Sequence, residues 1–217
     1  MKKLLVSTFL SLFAFTTASA EVGVNVGVSG QVGLFAASVT ETEGTGETHD
    51  GSDHIAIGYG SIFVEKDLGD RITIGIDYVP ESLDTETAES TKYDKTTTDT
   101  QANVENKVQA SFEDHTTIYV NFNINESFYV KAGMTSVDII TNESLGTGST
   151  YGNTDTTGTV VGFGSNVDLD NGVFIRAEAN YASYDSVTLT SQTNSDNKVT
   201  MGNLDGVSGK FSIGKSF

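Results

Sequence analysis

Residues 22–36 read VGVNVGVSGQVGLFA. The even positions are Val22, Val24, Val26, Val28, Gly30, Val32, Leu34 and Ala36, while the odd ones include Gly23, Asn25, Gly27, Ser29, Gln31 and Gly33. Successive side chains of a strand point to opposite faces, so this stretch predicts a strand with one apolar and one small or polar face. Its length is as informative as its period, because strands of soluble proteins usually run about 3–10 residues. A longer strand with a single apolar face suits a sheet whose outer side meets lipid.

The alternation recurs along the chain. A second strand is expected near Ile55–Glu65, with Ile55, Ile57, Tyr59 and Phe63 on one face, although Ile62 and Val64 make its other face apolar too. Ile72, Ile74, Ile76 and Tyr78 oppose Thr73, Gly75 and Asp77. Further on, Ile118, Val120, Phe122 and Ile124 oppose Thr117, Tyr119, Asn121 and Asn123. Phe128, Val130, Ala132 and Met134 oppose Tyr129, Lys131, Gly133 and Thr135. Val161, Phe163 and Val167 oppose Gly162, Gly164 and Asn166, and Val173, Ile175, Ala177 and Tyr181 oppose Arg176, Glu178 and Asn180. The last strand sets Val207, Phe211, Ile213 and Phe217 against Ser208, Lys210, Ser212 and Gly214.

The links alternate in length. Asp67–Asp70, Asn125–Ser127 and Asp170–Gly172 have hairpin chemistry. Between them lie four polar segments, 40–53, 82–106, 139–158 and 184–205, read as long loops that need not pack. Short turns on one side and long links on the other predict an all-β fold: an eight-stranded antiparallel up-and-down transmembrane barrel, with short periplasmic turns and long extracellular loops.

Ahead of the first strand, Lys2 and Lys3 precede an apolar run, Leu4–Phe15, and Ala18-Ser19-Ala20 stands before Glu21. That is the pattern of a cleaved signal peptide, 1–20, leaving 21–217 as the barrel domain. No later apolar run reaches the roughly 20 residues of a spanning helix, and in lipid a closed barrel is the other way to pair every backbone group. Cysteine is absent, which excludes disulfides and thiolate chemistry. The net charge is −17, becoming −19 once Lys2 and Lys3 are removed. Such a chain repels nucleic acid and attracts cations.

In these features the chain resembles the eight-stranded outer-membrane barrels that include the OmpA transmembrane domain, OmpX and the opacity-type proteins. The matching residues are Gly162-Phe163-Gly164, the Asp170-Asn171-Gly172 turn, Val173–Glu178, and the end of the chain at Phe217. The resemblance implies a location in the outer membrane of a Gram-negative cell, contact with its lipids and lipopolysaccharide, and a monomer. It also implies that Phe211, Ile213 and Phe217 form a terminal signal read by the barrel-assembly machinery. Lys215 departs from that signal's usual apolar pattern.

Candidate functional residues fall into two groups. Asp77, Lys131, Arg176, Glu178 and Lys210, with Glu113 and His115, are expected to face the lumen, where opposite charges pair. Glu41, Glu43, Glu47, Asp50 and Asp53, then Glu81, Asp84, Glu86, Glu89, Asp94 and Asp99, make the outer segments acidic, a setting for divalent cations or a surface partner. The spacing fits no ordered metal site, and no cofactor is expected. His49 and His54 are a two-ligand cluster at most. Ser111, Glu113 and His115 share a predicted face, which would permit nucleophile chemistry only if they reached one another.

The expected function is therefore that of a non-enzymatic, closed membrane anchor displaying acidic surface loops for adhesion, surface interaction or envelope integrity. The alternatives are a small cation-preferring, porin-like channel and a secreted soluble β-protein. Large side chains in the lumen favour a plug, whereas glycine and serine favour a passage.

Overall fold

The computed structural model describes residues 23–44, 46–95 and 100–217. The expected signal peptide, 1–20, and Asp99 lie outside the described residues. The strands are β1 (Val24–Thr42), β2 (Thr48–Asp67), β3 (Ile72–Tyr78), β4 (Leu83–Asp84), β5 (Ala88–Lys95), β6 (Gln101–Asn123), β7 (Phe128–Leu145), β8 (Thr154–Asp168), β9 (Val173–Tyr184), β10 (Val187–Thr190) and β11 (Lys198–Ser216). Eight of them form a ring in the order β1-β2-β3-β6-β7-β8-β9-β11, closed by antiparallel pairing of β11 with β1. Closure leaves the membrane portion without a free edge, as lipid demands. The short β4, β5 and β10 attach to β6 and β11 outside the ring.

The apolar rows face outward. Val32 is 64% exposed and Met134 67%, and Val28, Phe163 and Ile213 lie in the same belt. A soluble protein rarely leaves so much contiguous apolar surface in water, whereas a barrel turns it to lipid. The inner ends close tightly: Leu68 N donates to Ile72 O at 2.7 Å and Ile124 N to Phe128 O at 2.8 Å. Asn125 Oδ1 accepts from the amides of Ser127 and Phe128, both at 2.9 Å, the local bonding that makes Asn a turn residue. At the third turn Asn171 and Gly172 take φ of 63° and 75°, a left-handed pair that Asn and Gly tolerate best. Asp170–Gly172 is thus a hairpin turn, closed where Leu169 N donates to Val173 O at 2.7 Å.

Two expectations are corrected, the first and the third, and the second is completed. First, the polar outer segments are largely ladder and not loop. β1 and β2 stay paired from Val24↔Lys66 to Thr42↔Thr48, so positions 40–42 and 48–53 lie in strand. A tilted strand needs about 9–11 residues to cross a bilayer, and β1 has 19. β5 with β6, and β10 with β11, extend other segments in the same way. Second, β2 turns Tyr59, Phe63 and Glu65 into the lumen and leaves Ile62 half exposed on the outside. Its more aromatic face is the inner one. Third, the register of β6 on β7 shifts between Glu113 and Thr116, where Asp114 adopts a φ of 52°. This bulge reverses the parity. Below it Thr117, Tyr119 and Asn121 point inward; above it Phe112 does, and Glu113 is exposed outside instead of facing the lumen.

The wall is uneven in height. β3 has 7 residues between neighbours of 20 and 23. Among the described residues, β2 pairs with β3 only from Ile62 to Asp67. Above Tyr78 the ring therefore has a gap, bridged at its base where Gly60 N donates to Glu81 Oε1 at 2.9 Å.

Candidate functional site: a charged and aromatic lumen

The inward side chains meet on the barrel axis. Lys131, from β7, donates to both carboxylate oxygens of Glu178, from β9, at 2.6 and 2.8 Å. Lys210 pairs with Asp77, which also accepts from Ser61 Oγ at 3.1 Å. Arg176 Nη1 lies 2.5 Å from Glu65 Oε1. Asp77, Lys131, Glu178 and Lys210 are buried, and Glu65 is wholly so. All five residues singled out from the sequence thus point inward, but Arg176 has a partner the alternation did not bring forward. Glu65 was hidden because β2 looked apolar on both faces. With it, Glu65, Asp77 and Glu178 balance Lys131, Arg176 and Lys210 in charge.

Hydrogen bonds from neutral groups saturate the carboxylates. Glu65 accepts from Tyr119 OH at 2.8 Å, Asn121 Nδ2 at 3.3 Å and Asn25 Nδ2 at 3.4 Å. Tyr129 OH donates to Glu178. The cations also lie on rings: Lys131 Nζ is 4.2 Å from the centre of Tyr119, and the Arg176 guanidinium 4.5 Å from that of Phe174. Burial of an ion in low dielectric is tolerated when it is paired and hydrogen-bonded.

The inward glycines are what make room for these rings. Gly75 is the cross-strand partner of Tyr119, and a Cβ on it would meet the ring at 2.5 Å. Gly164 stands likewise under Tyr129, and Gly27 under Phe63, each at 2.3 Å. The space beside these glycines is filled by the aromatic rings.

Among the described residues, a vestibule and two small cavities lie along the axis. The inner mouth opens into a vestibule of about 1080 Å³ that ends at Arg176 and Phe174. Above the ion pairs lies a polar cavity of about 50 Å³. Above that, His115 Nε2 lies 2.8 Å from Thr135 Oγ1 and 3.1 Å from Tyr184 OH.

The other candidate groups are separated. The Asp114 bulge places Glu113 and His115 on opposite sides of the wall, and Ser111 Oγ accepts from Asn142 Nδ2 at 3.1 Å. No nucleophile–base pair forms there. His49 and His54 are an odd number of residues apart on β2, so they face opposite sides; His49 lies 3.6 Å from Glu43. Among the described residues no group of three or more His, Asp or Glu gathers as metal ligands. Phe211, Ile213 and Phe217 are exposed on the lipid side of β11 and at its end.

Comparison with known proteins agrees with this architecture. No curated protein sequence matches the chain. Among solved structures, the outer membrane protease OmpT from Escherichia coli is similar with a TM-score of 0.50 at 9% identity, covering 94% of this chain and 99% of that one. The outer membrane protein OprG from Pseudomonas aeruginosa gives 0.47 at 10% identity, covering 92% and 99%. Ail of Yersinia pestis gives 0.29 at 12% identity, covering 86% and 98%. The family model described as an outer membrane protein beta-barrel domain matches residues 4–211. A closed eight-stranded ring with an outward apolar belt, and a family match along nearly the whole sequence, establish that the chain belongs to the outer-membrane β-barrel domain family and is an integral protein of the Gram-negative outer membrane.

Proposed function

We propose that this barrel is a closed, non-enzymatic anchor that holds an acidic, strand-built surface outside the cell. One observation carries the reading: the lumen is crossed by three mutually neutralising ion pairs embedded in tyrosine and phenylalanine rings. A conducting path needs a continuous wet passage whose charges bind ions weakly enough to release them. Here the charges satisfy one another, and the polar space above them is about 50 Å³.

The outer half is built for display. Paired strands carry Glu41, Glu89 and Asp94, and partial neutralisation comes from Lys92 on Glu41 at 3.2 Å and Lys107 on Glu89 at 2.9 Å. A cationic partner, or divalent ions shared with lipopolysaccharide phosphates, fits that chemistry.

The test is a planar lipid bilayer holding the refolded protein, with gel mobility that shifts on boiling as proof of folding. A silent membrane is the expected result. Discrete cation-selective steps from the folded protein, lost when Asp77 and Glu178 are neutralised, would replace the anchor with a narrow channel.

A further inference from the structure

The gap above β3 coincides with a second, chemically different cavity. About 80 Å³ in volume, it is walled by Ile55 and Ile57 of β2, Leu83 of β4, Phe112 of β6, Val137 of β7 and Leu204 of β11. Phe35, Tyr59, His115 and Tyr184 line both this cavity and the polar one below, so they form a partition between the two. The floor is sealed by the His115 bonds to Thr135 and Tyr184. The sides are hydrocarbon and aromatic ring. Besides Tyr59, His115 and Tyr184 in the partition, the polar residues of the lining are Asp84, at the end of β4, and Thr85 just after it, beside the gap.

We propose that this pocket binds a small neutral apolar molecule, one aromatic ring or a short alkyl segment, admitted sideways through the gap above β3. An apolar cavity too poor in polar partners to hold ordered water stays dry, and such cavities take up benzene-sized guests. Asp84 at the mouth, with Glu81 beside the base of the gap, disfavours a carboxylate or phosphate. The source is a free molecule, not a membrane lipid. The mouth lies beyond Ile62, the last residue of β2 to pair with β3, and is bordered by Glu81 and Asp84, so an acyl chain entering it would bring its phosphate headgroup against two carboxylates. The partition and the ion pairs beneath make the pocket a dead end along the axis.

The experiment uses the full mature protein refolded into phosphatidylcholine nanodiscs, a short neutral alkyl diazirine as photoprobe, and peptide mapping by mass spectrometry. Adducts are expected on Ile57, Phe112 and Leu204, and an excess of toluene should suppress them. Val137→Trp fills the cavity and should lower these adducts about tenfold, the change that 1.4 kcal/mol produces. Leu204→Trp, at the rim, serves if Val137→Trp fails to show the folded gel mobility. Adducts confined to lipid-facing residues such as Leu34 and Val161, or adducts undiminished by a folded filling variant, would overturn the proposal. A phosphatidylcholine carrying the diazirine in its acyl chain should label only the outward rows; strong labelling of Ile57 and Phe112 by that lipid would refute a free-molecule source.

Discussion

Tyr119 lies across the backbone of Gly75, its partner on the neighbouring strand, and places its hydroxyl 2.8 Å from the wholly buried Glu65. The absence of one side chain thus determines where another ends, and that end supports a buried charge. Gly75→Val should push the ring off its seat and weaken the Glu65 site, with a loss of about 1–3 kcal/mol typical of overpacking. Urea unfolding in detergent, followed by the gel-mobility shift, measures it. Wild-type stability in the variant would mean that the ring has another resting place.

Glu65 is expected to be the most costly lumen carboxylate to remove. Glu65→Leu leaves the Arg176 guanidinium buried without its counter-charge, and breaking such a pair typically costs about 3–5 kcal/mol. The double variant Glu65→Leu with Arg176→Met should lose far less than the two single losses added together, because groups in one network are coupled. Additive losses in the same unfolding assay would show that the pair is not coupled.

Deleting Asp114 removes the bulge. In the altered register Glu113 would turn into the lumen and Phe112 would leave the apolar cavity, since a one-residue slip exchanges the two faces. Refolding yield should collapse, whereas Asp114→Gly, which relieves a φ of 52°, should refold at least as well as wild type. Normal refolding of the deletion would mean that the upper half of β6 tolerates either face.

Outside the membrane, partial burial raises the Glu143 carboxyl above its ordinary value, opposed by the amide of Tyr151 that bonds to it. A carboxyl raised in the folded state binds its proton more tightly there than in the opened chain. The segment 143–151 is therefore more stable below the unfolded carboxylate value, and that gain is lost as pH rises through the folded value. Hydrogen exchange of residues 143–153 should be slower at pH about 4 than at about 7 after correction for intrinsic rates. Glu143→Gln should flatten the difference.

The membrane half of this fold was legible from the sequence because one face met lipid and the other did not. Val28, Ile74, Val130 and Ile213 wrote that contrast in period two. The outer half carried no such contrast. Where both faces of a ladder meet water, as in Thr48–Asp53, polar residues occupy every position and only the β-propensity of threonine hints at a strand. Glu65 was obscured for the opposite reason, since β2 has apolar residues on both faces. The reversal at Asp114 was invisible because a bulge has no side-chain signature of its own. Arg176, Glu178, Lys131, Asp77 and Lys210 were legible as inward charges, but which carboxylate each cation meets depends on register around the whole ring.

The cancellation of charge within the three ion pairs has a consequence for how many such molecules share a membrane. Because the three ion pairs cancel, the chain's excess of −17 resides outside them, much of it on the strands that project above the bilayer. Two neighbouring copies can bring their apolar belts together, yet their tops repel at separations within a Debye length, about 8 Å at physiological ionic strength. Lateral spacing, and not only affinity for partners, is then governed by salt: crowding should tighten as calcium or sodium rises and relax when the outer medium is dilute.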